Sequence, residues 1–126
     1  MRPWARQYYD YQTLKENPID EFQDVTLLYA DIAGFTKYSA RVPADQVVKM
    51  LSTLCTEFDK LCVKHQVYKV YTIGDCYVVM GFLDKDKRNP REEARNVVQM
   101  ALGMIKTLNE INIDGLSMRI GIHTVL

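Results

Sequence analysis

The sequence predicts an α+β domain of the ferredoxin-like, split βαβ type, with two long helices on one face of an antiparallel sheet. Two stretches have apolar residues at steps of three and four, the pattern of an amphipathic helix. Short β-rich runs stand before, between and after these stretches, so the order is strand, helix, strand, strand, helix, strand. The right-handed crossover rule makes the first two strands parallel. In this fold the third strand lies between them, antiparallel to both, and the fourth lies on the other side of the first.

The first strand is predicted over residues 25–30, a nearly continuous apolar run typical of a buried central strand. Small and polar residues follow at 31–36 and end it. Apolar positions then recur at helical spacing over 47–65, which predicts the first long helix. Cys55 and Cys62 lie on this apolar stripe, so we expect them to be core residues and not metal ligands.

The second and third strands are predicted over 67–73 and 76–82, two β-rich runs separated by two residues. The separating pair, Gly74-Asp75, suits a tight hairpin turn. The charged residues 84–92 predict a solvated loop. The second apolar stripe, 94–111, predicts the second long helix.

Composition and charge limit the classes of function. The chain has 126 residues, of which 48% are hydrophobic and 25% charged, as in one folded domain. Sixteen basic and sixteen acidic residues leave no net charge, which disfavours nucleic acid as a partner. Three cysteines without a CxxC pair indicate a reducing, cytoplasmic compartment. No apolar run approaches the ~20 residues that a membrane helix needs, so this segment itself is not expected to insert into a membrane. We expect an irregular lead-in or linker over 1–21 and one domain over 22–126.

Three charged residues are predicted to meet at one end of the sheet. Asp31 follows the first strand, Asp75 precedes the third, and Arg119 lies near the start of a last strand over 116–125. In antiparallel neighbours the end of one strand lies beside the start of the next. Taken singly, an Asp at a strand end or in a Gly-Asp turn is more often a turn former. The predicted grouping at one sheet end favours a functional site instead.

The residue types at this site suit a metal and a polyphosphate. Two facing carboxylates repel each other unless a cation lies between them. Paired carboxylate oxygens suit Mg²⁺ or Mn²⁺, which is commonly held by one or two carboxylates together with substrate phosphates. The turn that follows Asp31 is expected to direct backbone N–H groups at phosphate, through Ile32, Ala33, Gly34, Phe35 and Thr36.

Three segments resemble the catalytic domains of class III adenylate and guanylate cyclases. Residues 25–36 (VTLLYADIAGFT) resemble the first metal motif of that family, and 68–77 (YKVYTIGDCY) the second. Residues 118–124 (MRIGIHT) resemble the strand that follows. The sequence of the whole stretch is most similar to that of the large protist guanylate cyclases that carry two catalytic domains in one chain. The resemblance implies a cyclase catalytic core over 22–126.

The resemblance also implies a reaction and residue roles. The 3′-hydroxyl of a nucleoside triphosphate attacks its own α-phosphate, and pyrophosphate leaves. Asp31 and Asp75 would hold two Mg²⁺ (or Mn²⁺) ions, with the Ile32 carbonyl as a further ligand. The backbone of 32–36 would bind the phosphates, and Arg119 would add positive charge at the triphosphate. A second cyclase catalytic domain is the expected partner, as a homodimer or a heterodimer, and the parent is expected to be a membrane protein with this part in the cytosol.

The sequence departs from the family pattern in two places. The first concerns the choice of substrate, and the second concerns the extent of the catalytic domain. The position before Thr72 usually carries a Lys that reads adenine or a Glu that reads guanine, and here it is Tyr71. The family domain also continues beyond the fourth strand with an Asn and an Arg that act on the ribose and the transition state. We therefore expect a C-terminally truncated core that is inactive alone, with GTP as the preferred substrate. The alternatives are an adenylate cyclase that uses ATP, a nonenzymatic cyclase-like regulatory module, and a plain interaction domain.

Overall fold

The computed structural model describes residues 24–73, 76–84, 86–113 and 115–125. The elements are β1 (Val25–Ala33), α1 (Phe35–Arg41), α2 (Ala44–His65), β2 (Tyr68–Ile73), β3 (Cys76–Met80), α3 (Pro90–Ile111) and β4 (Ser117–Val125). The predicted lead-in over 1–21 and the predicted turn Gly74-Asp75 lie outside the described residues.

The four strands form one sheet in the order β2-β3-β1-β4, and every neighbouring pair is antiparallel. The predicted topology is therefore confirmed. β1 and β4 pair over nine positions, from Val25 opposite Val125 to Ala33 opposite Ser117. β1 pairs with β3 on its other side, with Ala30 opposite Tyr77. The end of β1 and the starts of β3 and β4 consequently meet at one end of the sheet.

Helices α2 and α3 cover the same face of the sheet, as predicted. Leu28, Ala30 and Ile32 alternate along β1 and pack into the core beneath the two helices. Met100 and Met104 of α3 are fully buried there. Burying one such side chain contributes roughly 1.5–3 kcal/mol, so this face supplies most of the hydrophobic stabilisation. Six residues of the two predicted apolar stripes are buried in this core, namely Leu54, Phe58, Val97, Ala101, Met104 and Leu108, and three more pack against it, namely Val47, Leu51 and Leu61.

The opposite face of the sheet carries no helix among the described residues, and we call it the open face. A second apolar cluster lies on it, formed by Val25, Val70, Val78, Met80 and Phe82. Because side chains alternate along a strand, Tyr29 and Asp31 also point to this face. Tyr29 is 45% exposed. The residues proposed for chemistry thus lie on the side that the long helices leave uncovered.

The structure corrects the prediction for the region after the first strand. β1 continues to Ala33, three residues further than predicted, and a short helix α1 follows in place of an open turn. The sequence signal for α1 is weak because Tyr38 is its single buried residue and no side chain caps its start. A helix of seven residues shows too few turns for an apolar period to be detected.

The prediction of a solvated loop over 84–92 is wrong at its C-terminal end. α3 begins at Pro90, and the Asn89 side chain caps it by accepting a hydrogen bond from the Glu92 amide. Arg88 is mostly buried and is paired with the buried Glu93.

Among the described residues no helix combines the length and the apolar character needed to cross a bilayer.

Candidate active site

Asp31 and Arg119 form a two-pronged ion pair at the predicted site. They are directly opposite each other in the β1–β4 register. The Arg119 Nε donates to Asp31 Oδ1 at 3.0 Å, and Nη2 donates to Oδ2 at 2.8 Å. The side chain of Asp31 is 30% exposed and that of Arg119 is 74% exposed. The prediction that these two residues lie close together is confirmed. The guanidinium donates a hydrogen bond to each of the two carboxylate oxygens.

The ion pair keeps Asp31 in its charged form. The hydrogen bonds from Arg119 are the largest cause that lowers the pKa of the Asp31 carboxyl, and its positive charge acts in the same direction. Partial burial opposes this effect but does not cancel it. Asp31 is therefore an anion at neutral pH, as a ligand for a hard cation must be.

The segment predicted to bind phosphate turns sharply at Gly34. This residue has φ +85°, a left-handed conformation that side chains other than glycine adopt at a cost. A Cβ at Gly34 would also overlap the carbonyl oxygen of Gly115. The sharp turn starts α1 immediately, with the Tyr38 amide bonded to the Gly34 carbonyl at 3.1 Å. The backbone conformation and the close approach of Gly115 therefore favour glycine at position 34, independently of any contact with phosphate.

The backbone of residues 32–36 lies directly beyond Asp31. Ile32 points into the core and is 5% exposed, so any role in a metal site falls to its carbonyl group. Phe35 and Thr36 open α1, and the first N–H groups of a helix have no partner within it. No side-chain hydrogen bond caps this end. The location fits the predicted role, and the role itself stays a prediction.

Asp75, the second predicted metal ligand, lies outside the described residues. Ile73 and Cys76, the described residues that flank it in the chain, are opposite each other in the β2–β3 register. Cys76 begins β3, the strand that pairs with β1 near Asp31. The role of Asp75 as a metal ligand stays a prediction.

A polar network that sequence reasoning missed fixes the start of β3. The Tyr77 hydroxyl donates to Asp59 Oδ1 of α2 at 2.5 Å and lies 3.4 Å from the Cys62 sulfur. The Lys69 ammonium is 3.3 Å from the same Asp59 oxygen. Burial, reinforced by the hydrogen bond to Asp59, raises the pKa of Tyr77 far above its usual range. Tyr77 is therefore a neutral anchor that attaches the start of β3 to α2.

Comparison with known proteins decides the family. The family model for the adenylate and guanylate cyclase catalytic domain matches residues 18–125. The chain belongs to this family. Its members are phosphorus–oxygen lyases that form cyclic nucleotides, and the resemblance seen in the sequence motifs is confirmed.

Curated relatives of the cyclase domain include receptor and membrane proteins. The chain is 40% identical over 110 residues to atrial natriuretic peptide receptor 2 of Anguilla japonica, with 83% of the chain and 10% of that receptor covered. It is 37% identical over 107 residues to a membrane guanylyl cyclase of Dictyostelium discoideum, with 84% of the chain and 7% of that protein covered. The chain thus spans a small part of these relatives.

Solved structures of both cyclase types resemble the fold. The adenylyl cyclase CyaB of P. aeruginosa superimposes with a TM-score of 0.73 at 25% identity, covering 82% of the chain and 56% of that structure. The guanylate cyclase domain of RhGC from Catenaria anguillulae, in complex with GTP, gives a TM-score of 0.71 at 28% identity, covering 82% and 57%. The chain spans little more than half of each of these structures.

Proposed function

We propose that this cyclase domain supplies the metal-binding half of a nucleotidyl cyclase active site, with GTP as its substrate. The observation that carries the proposal is the charged pair of Asp31 and Arg119 on the open face. It brings an anionic metal ligand and a phosphate-binding cation together at one end of the sheet. A plain interaction domain has no need for such a pair beside the two cyclase motifs.

The residues at this site fit a divalent cation. Asp31 offers two hard carboxylate oxygens in the charged form, and the Ile32 carbonyl follows it in the chain. Within the described ranges, no group of three or more His, Cys, Asp or Glu side chains is arranged to hold an ion. Magnesium is commonly held by one or two carboxylates, and its coordination is completed by substrate phosphates. In the proposal Asp75 is the second carboxylate, and two Mg²⁺ or Mn²⁺ ions are held.

Each residue has a defined task in the proposed reaction. Bound divalent ions would lower the pKa of the 3′-hydroxyl and offset the charge of the triphosphate. Asp31, Asp75 and the Ile32 carbonyl hold these ions. The backbone N–H groups of 32–36 orient the phosphates at the start of α1. Arg119 faces the pyrophosphate leaving group, where negative charge develops.

We propose GTP and not ATP as the substrate because of the proteins that the chain is similar to. The two curated relatives described above are a natriuretic peptide receptor and a guanylyl cyclase. Tyr71 stands where the family reads the purine, and a tyrosine supplies neither a carboxylate for guanine nor an ammonium for adenine. We therefore assign base selection to a partner domain. The adenylate cyclase alternative remains because CyaB has the same fold.

The partner is a second cyclase catalytic domain that covers the open face. Tyr29 on that face is 45% exposed and is available for contact with a partner. The guanylyl cyclase domain of the RhoGC protein of Blastocladiella emersonii has been crystallised both as a non-canonical dimer and as a monomer. We further propose that the segment belongs to the cytosolic part of a membrane protein, since the Dictyostelium relative is a membrane guanylyl cyclase.

The test is binding and turnover in matched carboxylate variants. Asp31→Asn and Asp75→Asn are each compared with Asp45→Asn, an exposed carboxylate in the first turn of α2. We expect Mn²⁺-dependent GTP binding to weaken in the first two variants and to stay unchanged in the third. When a second cyclase catalytic domain is added, cyclic GMP formation should disappear in the same two variants.

Different outcomes separate the readings. Near-normal cyclic GMP formation by Asp31→Asn or Asp75→Asn would contradict the metal assignment. A product made from ATP and not from GTP identifies the adenylate cyclase alternative. Metal-dependent GTP binding without any product, in all combinations of domains, identifies the nonenzymatic regulatory module.

A further inference from the structure

The Asp31–Arg119 pair places a cation of the protein on the carboxylate proposed to bind a metal. Both oxygens of Asp31 accept hydrogen bonds from the fork of Arg119, at 3.0 Å and 2.8 Å. The guanidinium is planar and its two donors match the two oxygens, so it covers the edge of the carboxylate from which ligands approach. A divalent ion bound to the same edge would lie within a few ångströms of the guanidinium charge, which is repulsive.

We propose that Arg119 is a positioning residue that guards Asp31 in the metal-free protein and moves to the triphosphate when a divalent ion binds. This inference rests on the proposed function and deepens it. Asp31 and the phosphates then compete for the Arg119 guanidinium, and the ion decides between them. Metal binding and triphosphate binding are coupled through one side chain.

The exposure of the two side chains makes the exchange feasible. Arg119 is 74% exposed, so it can leave Asp31 without giving up much packing. Asp31 is 30% exposed and is held on β1 between β3 and β4, so it stays in place. Exposed ion pairs contribute little net stability because water solvates both charges when they separate. The ion pair must be weak if Arg119 is to leave Asp31 when a divalent ion binds.

The ion pair gives Asp31 a cationic partner when no divalent ion is bound. Sequence reasoning expected repulsion between two unpartnered carboxylates, and in the structure Asp31 has a cationic partner. By linkage, the ion that releases Arg119 raises the affinity for triphosphate, and triphosphate raises the affinity for the ion by the same factor.

The first experiment measures Mn²⁺ affinity of the chain without nucleotide, by following the electron paramagnetic resonance signal of the free ion. Arg119→Met removes the guard and should bind Mn²⁺ about three- to tenfold more tightly, the range expected for loss of an exposed two-pronged pair. Arg119→Lys keeps the charge but lacks the fork, and should bind more tightly than the wild type by a smaller factor.

Arg41→Met is the matched control for net charge. The Arg41 guanidinium lies beside Gly115 and over the ring of Tyr38, in the same region of the fold. Its removal should change Mn²⁺ affinity much less than Arg119→Met. An equal gain in both variants, or no gain in either Arg119 variant, would overturn the exchange. Asp31→Asn tests the site itself: if Mn²⁺ affinity is unchanged in Asp31→Asn, the proposed function fails, and if it falls there while the Arg119 variants match the wild type, only the exchange fails.

The second experiment measures GTP affinity in the presence of EDTA. Asp31→Asn removes the carboxylate that competes with the phosphates for Arg119, so GTP should bind about three- to tenfold more tightly than to the wild type, in line with the same ion pair being lost. Part of any gain comes from removing a negative charge near the phosphates. The same substitution in an Arg119→Met background isolates that part. A gain of equal size in both backgrounds would contradict the release of Arg119, and a much smaller gain in the Arg119→Met background supports it.

Discussion

The ion pair between Arg88 and Glu93 is predicted to be the most sensitive polar contact in the described part of the fold. The Glu93 side chain is 8% exposed and that of Arg88 is 16% exposed. The Arg88 Nε donates to both Glu93 oxygens at 3.0 Å, and its Nη2 donates to Oε1 at 2.8 Å. The Asn89 amide donates to Oε2 at 2.7 Å. Four hydrogen bonds thus converge on one buried carboxylate at the start of α3.

Glu93→Gln keeps the shape of the side chain and removes its charge. One terminal oxygen becomes an NH₂ group, which faces donors from Arg88 and Asn89 and cannot accept from them. Arg88 keeps its contact with the Phe82 ring, 4.2 Å from the centroid, and its hydrogen bond to the Asp24 carbonyl, but it loses the negative charge of the Glu93 carboxylate. Breaking a buried pair by removing one partner costs about 3–5 kcal/mol. Because Arg88 is partly solvated, we expect about 3 kcal/mol.

The measurement is urea unfolding followed by circular dichroism, with the free energy of unfolding taken from the linear dependence on urea. A loss of about 3 kcal/mol corresponds to a fall in Tm of about 10 °C for a chain of this size. Glu92→Gln is the control, since it makes the same charge change one residue away on the exposed side of the same helix turn. We expect Glu92→Gln to stay within about 0.5 kcal/mol of the wild type.

A double variant separates the pair from the rest of the helix start. In a cycle with Arg88→Met, the second substitution should cost much less than it does alone, because no unpaired buried charge remains. If Glu93→Gln costs less than about 1 kcal/mol, or no more than Glu92→Gln, then the pair does not stabilise the fold in the way argued here.

Three further predictions concern the turn, the core and a cysteine. Gly34→Ala should destabilise the chain by about 2 kcal/mol or more, from the left-handed backbone and the overlap with the Gly115 carbonyl, and urea unfolding equal to the wild type would contradict this. Met104→Ala should cost about 2–5 kcal/mol because Met104 is fully buried between α3 and the sheet, and a smaller loss would mean that the core collapses around the cavity. Burial raises the pKa of the Cys62 thiol, so little thiolate forms at pH 8. Iodoacetamide should therefore modify Cys62 much more slowly in the folded chain than in urea, as read by peptide mass spectrometry, and equal rates would rule out the buried thiol.

The long elements of the fold are determined by local sequence. An apolar period over five or six turns can be satisfied in one way, as a helix with one buried stripe, so α2 and α3 were predicted to within a few residues. Strands β2, β3 and β4 were predicted from β-rich runs of residues that are bounded by turn-forming residues. Once the order of elements is known, chain handedness and short connections leave few arrangements of the sheet.

Short elements and buried charges escaped prediction because they depend on their neighbours. α1 has seven residues and one buried side chain, so its stability comes from its contact with the rest of the fold and not from a period. Arg88 lies in a run of charged residues that is typical of a solvated loop, and its burial depends on Phe82 and Glu93 being brought beside it. The Asn89-Pro90 pair was the available signal for the helix start.

For the candidate site, the sequence by itself determined which residues are charged and at which end of the sheet they belong. It did not determine their partners. Asp31 and Arg119 are 88 residues apart, and they meet because nine residue pairs set the register of β1 against β4. A slip of one residue would move Arg119 to the opposite face of the sheet. Only the tertiary structure therefore decided that the guanidinium predicted to bind a triphosphate rests on the carboxylate predicted to bind a metal, since strand register is an energy summed over the whole sheet and not a property of either motif.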